Sequence, residues 1–436
     1  MAGLASVMRS RALEPAAPEL PLEPPHLDAA MLRKIELADA PGGVPVLRDV
    51  LQSVDSGLAC MFVRMLKPAI YGSVWDALEI QVEVGGYFTV RKDENGKERR
   101  LAIKRMPWGR INSLRGRVQE DPLHEIAALK RLQDPGHPHV LRAIEALDDG
   151  ETVYLLTPFV DGGELFDFVH NHGASAEAVV KPLFRQMVRG MEYIHSRGIS
   201  HADMSLENAL LDATLENAFI IDFGMCVAWP CKDGHRVMLV PDQREGKKAY
   251  CAPEMYKKKP YDGVKIDVFG GGCMLFMMLM GFPAFTAPTR ADPGFRQAVW
   301  KRDIQGLLAR YGLPPLPDEV AHLLRSMMAY NADDRPMPQD VLRHPWLAPP
   351  PPEHQAPPVP LGGEASPTQT AVSPHQELPA AVACPEGNMP VASGERRGTA
   401  EPVEWRGTAA PDSARTTTAS VAKPPLEGQQ DNAGSL

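Results

Sequence analysis

Two short segments in the middle of the chain carry side chains whose types and spacing could do chemistry. Asp203 is followed by Asn208, and an apolar stretch then leads to Asp222, which begins an Asp-Phe-Gly sequence. A carboxylate can accept the proton of a hydroxyl group, and carboxylate and amide oxygens ligate magnesium. If folding places these segments in neighbouring loops, a general base and a metal site lie side by side.

The order of these residues resembles that in eukaryotic protein kinases, whose catalytic loop has His-Arg-Asp and then Asn, followed by Asp-Phe-Gly. The resemblance implies that Asp203 accepts the proton of a substrate hydroxyl group. It also implies that Asn208 and Asp222 hold Mg²⁺, whose shell is completed by phosphate oxygens and water. Either aspartate alone would be ordinary in a loop, but the joint pattern is highly specific.

A second part of the resemblance concerns ATP. The Leu-Ala-Ile-Lys sequence ending at Lys104 resembles the kinase Val-Ala-Ile-Lys, whose ammonium neutralises the α- and β-phosphates, and Glu125 matches the helix glutamate that pairs with it. A lone lysine or glutamate is most often a solvated charge, but the order of this pair relative to the two aspartates favours function. By the same register Thr157 is the gatekeeper, and residues 158–160 form the hinge that faces adenine. The implied nucleotide-binding residues are Leu66, Gly72, Val74, Ala102, Lys104, Thr157, Phe159, Val160 and Leu210.

Four further motifs fit the same family. Glu254 ends an Ala-Pro-Glu sequence, and Arg335 occupies the position whose guanidinium pairs with that glutamate. Asp267 resembles the aspartate that caps the backbone of the catalytic loop. A His-Pro-Trp sequence ending at Trp346 resembles the closing helix of many Ser/Thr kinases.

Apolar periodicity predicts the elements that must position these residues. An Asn-Gly pair at 95–96 predicts a tight hairpin turn. The predicted helices span 28–38, 46–54, 123–132 and 177–196, and the predicted strands span 62–66, 74–84, 101–106, 140–144 and 152–157.

The predicted fold class is α+β: a bilobal protein-kinase-like fold with a small antiparallel β-sheet lobe and a mostly helical lobe. Residues 1–59 are predicted to be a partly disordered N-terminal extension, and residues 60–347 the kinase domain. Residues 348–436 are predicted to be a disordered Pro-rich tail, because they cannot bury enough apolar surface to offset chain entropy. Within the tail, residues 357–360 form a Pro-rich stretch that could bind a partner.

Composition limits the setting of the protein. A net charge of −9 over 436 residues gives no reason to expect nucleic acid or an anionic membrane as a partner. The six cysteines lack a Cys-x-x-Cys pair, which favours a reduced environment over a zinc site or a disulfide framework. No apolar run approaches the ~18 residues of a membrane span. We therefore expect a cytoplasmic protein, without excluding the nucleus.

The sequence departs from the family pattern in two features, one that bears on nucleotide binding and one that bears on regulation. The phosphate-covering loop keeps only Gly72 of three glycines, with Lys67 and Ala69 at the other two positions. Glycine permits close approach of backbone to phosphate, so we expect a weaker grip on ATP. Ala202 replaces the arginine that receives an activation-loop phosphate in the family, so we expect activity without that modification.

A third departure involves a possible exchange of two residues. Ser205 stands where Ser/Thr kinases usually carry a lysine near the γ-phosphate, and Lys247 stands where they usually carry a threonine that touches the catalytic aspartate. One hypothesis is that Lys247 brings its ammonium toward Asp203 from the opposite side. The alternative is that Lys247 is a solvated charge beside Lys248.

These motifs predict an ATP-dependent Ser/Thr protein kinase that transfers the γ-phosphoryl group of Mg-ATP to a protein hydroxyl, somewhat like the calmodulin-dependent and AMP-activated group. The catalytic loop reads Ser-Leu-Glu-Asn at 205–208, where tyrosine kinases typically carry Ala-Ala-Arg-Asn. Glu164 and Glu207 match positions that face basic substrate residues in some kinases, or they are ordinary surface carboxylates. The alternatives are a pseudokinase scaffold that binds nucleotide weakly and a small-molecule phosphotransferase of kinase-like fold.

Overall fold

The computed structural model describes residues 25–37, 46–83, 88–229, 231–232, 235–236, 238–239 and 246–348. These residues form two compact units. The strand-rich unit comprises the described residues up to Asp161 together with Asp222–Cys226, and the helical unit comprises Gly162–Ile221 and the described residues from Val227 onward. The predicted N-terminal disorder before residue 25 and the predicted tail after Ala348 lie outside the described residues.

The strand-rich unit is built on one eight-stranded sheet and two helices. Its strands are β1 (Asp28–Leu37), β2 (Val46–Ser53), β3 (Ala59–Ala69), β4 (Gly72–Val82), β5 (Phe88–Val90), β6 (Arg100–Pro107), β7 (Glu145–Asp148) and β8 (Thr152–Pro158). The helices α1 (Trp108–Leu114) and α2 (Pro122–Leu132) follow β6 in the chain.

The strand pairings close upon themselves. The order along the sheet is β3-β2-β1-β7-β8-β6-β4-β5, and β3 also pairs with β4, so every strand except β5 belongs to a closed ring. All pairings are antiparallel apart from the short β1–β7 contact. A ring has no free edge strands, which removes exposed backbone donors and acceptors. Its main buried cluster consists of Leu51, Cys60, Phe62, Ala77, Leu101, Ile103, Leu147, Tyr154 and Leu156.

The two N-terminal helices predicted at 28–38 and 46–54 are wrong, because these segments are β1 and β2. Along β1 the side chains alternate: Ala30 and Leu32 pack against the buried cluster, whereas Met31 between them is exposed. This period of two is the signature of a half-buried strand. Pairing with β3 and β7 therefore outweighs the helix propensity of these residues.

Most of the other predicted elements of this unit are confirmed. Strands β3, β6 and β8 cover the predicted segments, β4 covers 74–82 of the strand predicted at 74–84, and the predicted helix at 123–132 is α2. The predicted Asn-Gly turn is present, with Gly96 at φ 79°. The strand predicted at 140–144 is wrong, because pairing with β8 begins only at Glu145; Val140 and Ala143 are buried by packing instead.

The helical unit contains short strands and eight α-helices among its described residues. The helices are α3 (Leu165–His172), α4 (Glu177–Ser196), α5 (Pro253–Tyr256), α6 (Gly263–Met280), α7 (Pro293–Phe295), α8 (Ile304–Arg310), α9 (Asp318–Met327) and α10 (Pro338–Arg343). The strands are β9 (Ile199–Ser200), β10 (Ala209–Leu211), β11 (Ala218–Ile220), β12 (Val227–Ala228), β13 (Cys231–Lys232) and β14 (His235–Arg236).

Helix α6 forms the centre of this unit. It begins at the N-cap Asp262, whose side chain accepts a hydrogen bond from Val264 N at 2.9 Å, and it ends at Gly281 in the left-handed conformation. Within the described residues, α6 is the one helix that is long enough and apolar enough to cross a membrane. However, 89% of it is buried inside the structure. It is therefore a core helix of this unit, around which α4 and α9 pack.

Candidate active site

Lys104 and Glu125 form a buried ion pair in the strand-rich unit. Strand β6 carries Lys104 and is fixed on both sides by β4 and β8. Helix α2 carries Glu125 and begins at Asp121, which caps it by accepting a hydrogen bond from Leu123 N at 2.9 Å. Lys104 Nζ lies 2.6 Å from Glu125 Oε2, and the two side chains are only 15% and 6% exposed. The pair predicted from sequence order is therefore formed.

Asp222 joins this pair from a distant part of the sequence. Its Oδ1 atom lies 3.9 Å from Lys104 Nζ, and its backbone is left-handed with φ 63°. Burial alone would lower the pKa of Lys104, but the carboxylates of Glu125 and Asp222 outweigh it, and the net shift is upward. Lys104 thus remains a cation held between two carboxylates.

The segment that contains Asp222 is held against the start of α2. Phe223 is fully buried, and the carbonyl of Gly224 accepts a hydrogen bond from Asp121 N at 2.9 Å. A Cβ atom on Gly224 would lie 3.3 Å from Cγ of Glu120. Sequence reasoning missed Glu120 and Asp121, although an Asp directly before Pro122 is a signal for a helix N-cap.

The predicted phosphate-covering loop is a tight hairpin between β3 and β4. Ala69 pairs with Gly72, so Ile70 and Tyr71 form the turn. A Cβ on residue 72 would lie 1.9 Å from the carbonyl oxygen of Arg105, so the one retained glycine is required by backbone packing.

Tyr71 anchors the tip of this hairpin. The side chain is 1% exposed, and its hydroxyl donates a hydrogen bond to the carbonyl of Glu120 at 2.6 Å. Burial raises the pKa of this phenol, and Asp121 and Glu120 raise it further. Sequence reasoning missed this role, although an aromatic residue directly before Gly72 was an available signal.

The residues expected near adenine lie on neighbouring strands. Val74 in β4 pairs with Lys104, and Ala102 in β6 pairs with Thr157 in β8. The Thr157 hydroxyl donates to the carbonyl of Ala102 at 3.4 Å. The structure thus places Val74, Ala102 and Thr157 on one continuous set of paired strands beside Lys104.

The predicted hinge is held by Arg100. Phe159 N donates to the carbonyl of Arg100 at 3.1 Å, and the Arg100 guanidinium lies 3.7 Å from the centre of the Phe159 ring. Arg100 is itself fixed by the buried carboxylate of Asp76 at 2.6 Å. Among the described residues, no acceptor contacts the backbone N–H of Val160. Leu66, at the end of β3's apolar run, is 36% exposed.

In the helical unit, Asp267 organises the catalytic loop. One of its oxygens accepts a hydrogen bond from Ala202 N, and the other accepts from His201 N, each at 2.8 Å. His195 Nε2 lies 2.8 Å from the second oxygen. These contacts hold Ala202 in the left-handed region at φ 61°, a conformation that is costly for a residue with a Cβ. The buried His195, which sequence reasoning missed, completes this group.

Asp203 and Asn208 are joined directly. The Asn208 amide donates to the backbone carbonyl of Asp203 at 2.8 Å and to its Oδ2 atom at 2.7 Å. With its NH₂ group used in this way, Asn208 Oδ1 has no donor among the described residues and is left to ligate a cation. The Asn208 carbonyl accepts from Ile221 N at 3.0 Å, which ties this loop to the residue that precedes Asp222.

Lys247 also reaches Asp203. Its ammonium lies 3.3 Å from Asp203 Oδ2 and donates to the Ser205 hydroxyl at 2.7 Å. The contact between Lys247 and Asp203 considered from the sequence is therefore present, and Ser205 completes it.

The end of the activation segment is fixed by a second ion pair. Arg335 donates to both oxygens of Glu254, at 2.6 and 2.8 Å, and its side chain is fully buried. The same guanidinium donates to the backbone carbonyls of Ala329 and Lys265. This two-pronged geometry is specific to arginine.

The two glutamates considered for substrate recognition occupy different settings. Glu164 is the N-cap residue of α3 and forms a backbone bridge to Leu210 in β10. Glu207 lies in a 3₁₀ turn, and its carboxylate raises the pKa of Tyr250 further after burial has raised it. Both residues are partly buried.

Comparison with known proteins identifies the class to which this constellation belongs. The family profile described as protein kinase domain matches residues 81–347, more than half of the 436 residues. The chain therefore belongs to the protein kinase family and has its bilobal α+β fold.

Several curated proteins are similar to this chain. It is 32% identical over 237 residues to CBL-interacting protein kinase 17 of Oryza sativa subsp. japonica, which covers 54% of this chain and 48% of that protein. It is 30% identical over 279 residues to serine/threonine-protein kinase SRK2H of Arabidopsis thaliana, covering 62% and 72%. It is 30% identical over 224 residues to the maternal embryonic leucine zipper kinase of Xenopus laevis, covering 51% and 32%. The chain thus spans about half of the length of the first of these relatives.

The donor set suits the ligands that protein kinases use in general. Asn208 offers an amide oxygen without a donor among the described residues, and Asp222 offers a carboxylate that is 38% exposed. Hard oxygen donors of this kind match Mg²⁺ bound together with phosphate. Each of these oxygens is therefore of the type that fits magnesium, Asn208 within the helical unit and Asp222 within the strand-rich unit.

Proposed function

We propose that this chain is a Ser/Thr protein kinase that transfers the γ-phosphoryl group of Mg-ATP to a protein hydroxyl. The observation that carries the proposal is the grouping of Lys104 with Glu125 at 2.6 Å and with Asp222 at 3.9 Å. Such a cation flanked by carboxylates is what ATP and its metal require. Its occurrence in a chain of the kinase family supports a working site.

Each residue has a chemical task in this proposal. Lys104 neutralises phosphate charge, and Glu125 keeps its ammonium in place. Asn208 and Asp222 hold Mg²⁺, which neutralises charge on the phosphate oxygens when it is bound. Asp203 receives the hydroxyl proton while the substrate oxygen bonds to the γ-phosphorus and the bond from that phosphorus to ADP breaks.

The geometry of Asp203 is consistent with that task. Asn208 and Lys247 both contact its Oδ2 atom. Among the described residues, no donor is bonded to Oδ1, so this oxygen is left to accept a proton.

Val74, Ala102 and Leu210 would contact adenine, with hydrogen bonding from the hinge at Val160.

Three finer features belong to the proposal. The Arabidopsis relative is named as a serine/threonine-protein kinase, which supports hydroxyls of serine and threonine as acceptors. The carboxylates of Glu164 and Glu207 support a preference for basic residues near the acceptor. We also propose a cytoplasmic location and a tail partner that recognises residues 357–360, on the sequence features given above.

A pseudokinase scaffold is the second candidate, and one observation favours it. The hairpin at Lys67 and Ala69 lacks two glycines of the kinase pattern, and Tyr71 fixes its tip in a buried position. A hairpin held in this way approaches phosphate less freely. The second candidate therefore predicts weak nucleotide binding without turnover.

The test is a transfer assay on the purified full chain with a library of Ser, Thr and Tyr peptides. Our proposal predicts magnesium-dependent labelling of Ser or Thr peptides that Asp203→Asn abolishes while ATP still raises the melting temperature. Peptides with arginine before the acceptor should be preferred. A wild-type chain that ATP stabilises, yet that labels no peptide, would instead be the scaffold.

A further inference from the structure

The contacts of Lys247 single it out among the cations of the activation segment that the structure describes. Its ammonium donates to Ser205 Oγ at 2.7 Å and lies 3.3 Å from Asp203 Oδ2. Ser205 is buried, and the Asp203 side chain is only 14% exposed, so both partners are held in fixed positions. The next residue, Lys248, is exposed and has no polar contact within the described residues.

The backbone around Lys247 holds it in this position. Gly246 adopts φ 61°, and a Cβ there would be 3.7 Å from Asp203 Oδ1, so the segment passes directly beside the carboxylate. The carbonyl of Lys247 accepts a hydrogen bond from Tyr250 N at 2.9 Å, which closes a turn. Lys247 therefore lies in an ordered turn, which positions its side chain next to Asp203.

The two oxygens of the Asp203 carboxylate have different contacts. Asn208 and Lys247 both hold Oδ2, and this fixes the rotation of Asp203 and leaves Oδ1 open. Two of the three ammonium hydrogens of Lys247 are used by Asp203 and Ser205. No further acceptor contacts the third within the described part of the chain, so it is available to a phosphoryl oxygen.

A purely structural role is a poor explanation for these contacts. The Lys247 side chain is 37% exposed, and ion pairs with an exposed partner contribute little to folding stability. What the ammonium adds is positive charge next to the position where the substrate hydroxyl must lose its proton.

We propose that Lys247 supplies, from the activation segment, the positive charge that orients Asp203 and neutralises the phosphoryl group during transfer. Ser205 serves as its hydroxyl support. This inference rests on the proposed function, since it assigns a further residue to the same reaction. The proton still passes from the substrate hydroxyl to Asp203, and Lys247 remains protonated throughout.

The test compares Lys247→Met with Lys248→Ala in the full chain, using steady-state phosphoryl transfer to a peptide. Removing one charged donor from a transition state lowers kcat by about 10²-fold. Lys247→Met should lower kcat by that order and leave the KM for ATP unchanged, because the ammonium acts on the reacting groups. Lys248→Ala should have wild-type kinetics. Melting temperatures of both variants should match the wild type.

A charge-exchange variant provides the sharper test. Ser205→Lys combined with Lys247→Ser returns an ammonium to the same place from the other side, and it should recover most of the kcat lost in Lys247→Met. Lys247→Arg retains the charge and should remain closer to wild type than Lys247→Met does, even if the exchange variant does not fold.

Two results distinguish failure of the Lys247 assignment from failure of the proposed function. If the wild-type chain transfers phosphate and Lys247→Met has the same kcat as Lys248→Ala, Lys247 is a solvated charge and the inference is overturned. If the wild-type chain transfers no phosphate to any peptide, the proposed function itself fails, and this assignment fails with it.

Discussion

The ammonium of Lys104 and the carboxylate of Asp222, which are far apart in the sequence, lie 3.9 Å apart in the strand-rich unit. Glu125 approaches the same ammonium to 2.6 Å. The buried ammonium is stabilised by the carboxylates around it, and removing its nearest partner leaves its charge poorly compensated. The site therefore makes predictions about stability as well as about activity.

Glu125→Ala should lower the free energy of unfolding by about 3 kcal/mol, because it leaves Lys104 buried without its closest partner. Urea denaturation of the full chain measures this difference. The double variant Lys104→Met with Glu125→Met removes both charges and should regain most of the stability while remaining inactive. Equal stability of Glu125→Ala and the wild type would show that the pair is not buried as described.

Phosphatase treatment should leave activity unchanged. Ala202 stands where an arginine would receive an activation-loop phosphate, and residues 225–249 contain no Ser, Thr or Tyr that could carry one. The measurement is the transfer rate of one purified preparation before and after dephosphorylation, with mass spectrometry to verify the removal. A rate that falls with the loss of phosphate would contradict this prediction.

Arg335→Ala should destabilise the chain by about 3–5 kcal/mol, because it leaves Glu254 without its two-pronged partner inside the helical unit. Arg343→Ala is a matched control, since Arg343 pairs with Asp340 at the surface. A surface pair of this kind contributes about 0–1 kcal/mol. Urea unfolding should separate the two variants clearly, and similar values for both would count against a buried Arg335–Glu254 pair.

Asp292 should make stability depend on pH in the acid range. Burial would raise its pKa, but hydrogen bonds from Phe295, Thr286 and Ala287 outweigh this effect and lower the pKa below its usual value of 3.8. A lowered pKa in the folded state means that its stabilisation is present above pH 3.8 and is lost as the pH falls through the folded value.

Asp292→Asn should therefore cost about 1–3 kcal/mol at pH 6, and the difference from wild type should shrink as the pH falls below 4. Urea unfolding at several pH values measures the difference. Asp55→Asn, at an exposed turn position, is the control and should change little at any pH. A difference for Asp292→Asn that stays constant down to pH 3 would rule out the linkage.

The residues proposed to carry the chemistry were identifiable from the sequence because their order in the chain is itself the signal. Asp203, Asn208 and Asp222 follow a fixed spacing, and Lys104 and Glu125 precede them in the order typical of the family. Long helices such as α4 were predictable from their apolar period.

Other features depend on contacts between distant segments and carry no local signal. The first two strands resemble helices in composition, and they become strands because β3 and β7 offer free edges to pair with. Tyr71 looks like a loop residue until the Glu120 carbonyl provides an acceptor for its hydroxyl. His195 lies on an apolar face of α4, and its role depends on Asp267 in α6.

The most direct measurement is phosphoryl transfer by the purified full chain from ATP labelled in either the γ- or the α-phosphate. We predict that a Ser or Thr peptide acquires the γ-label only, that the transfer requires magnesium, and that Asp203→Asn and Lys104→Met each abolish it. No transfer of the γ-label by a folded, ATP-binding wild-type chain would contradict the assignment of this protein as an active kinase.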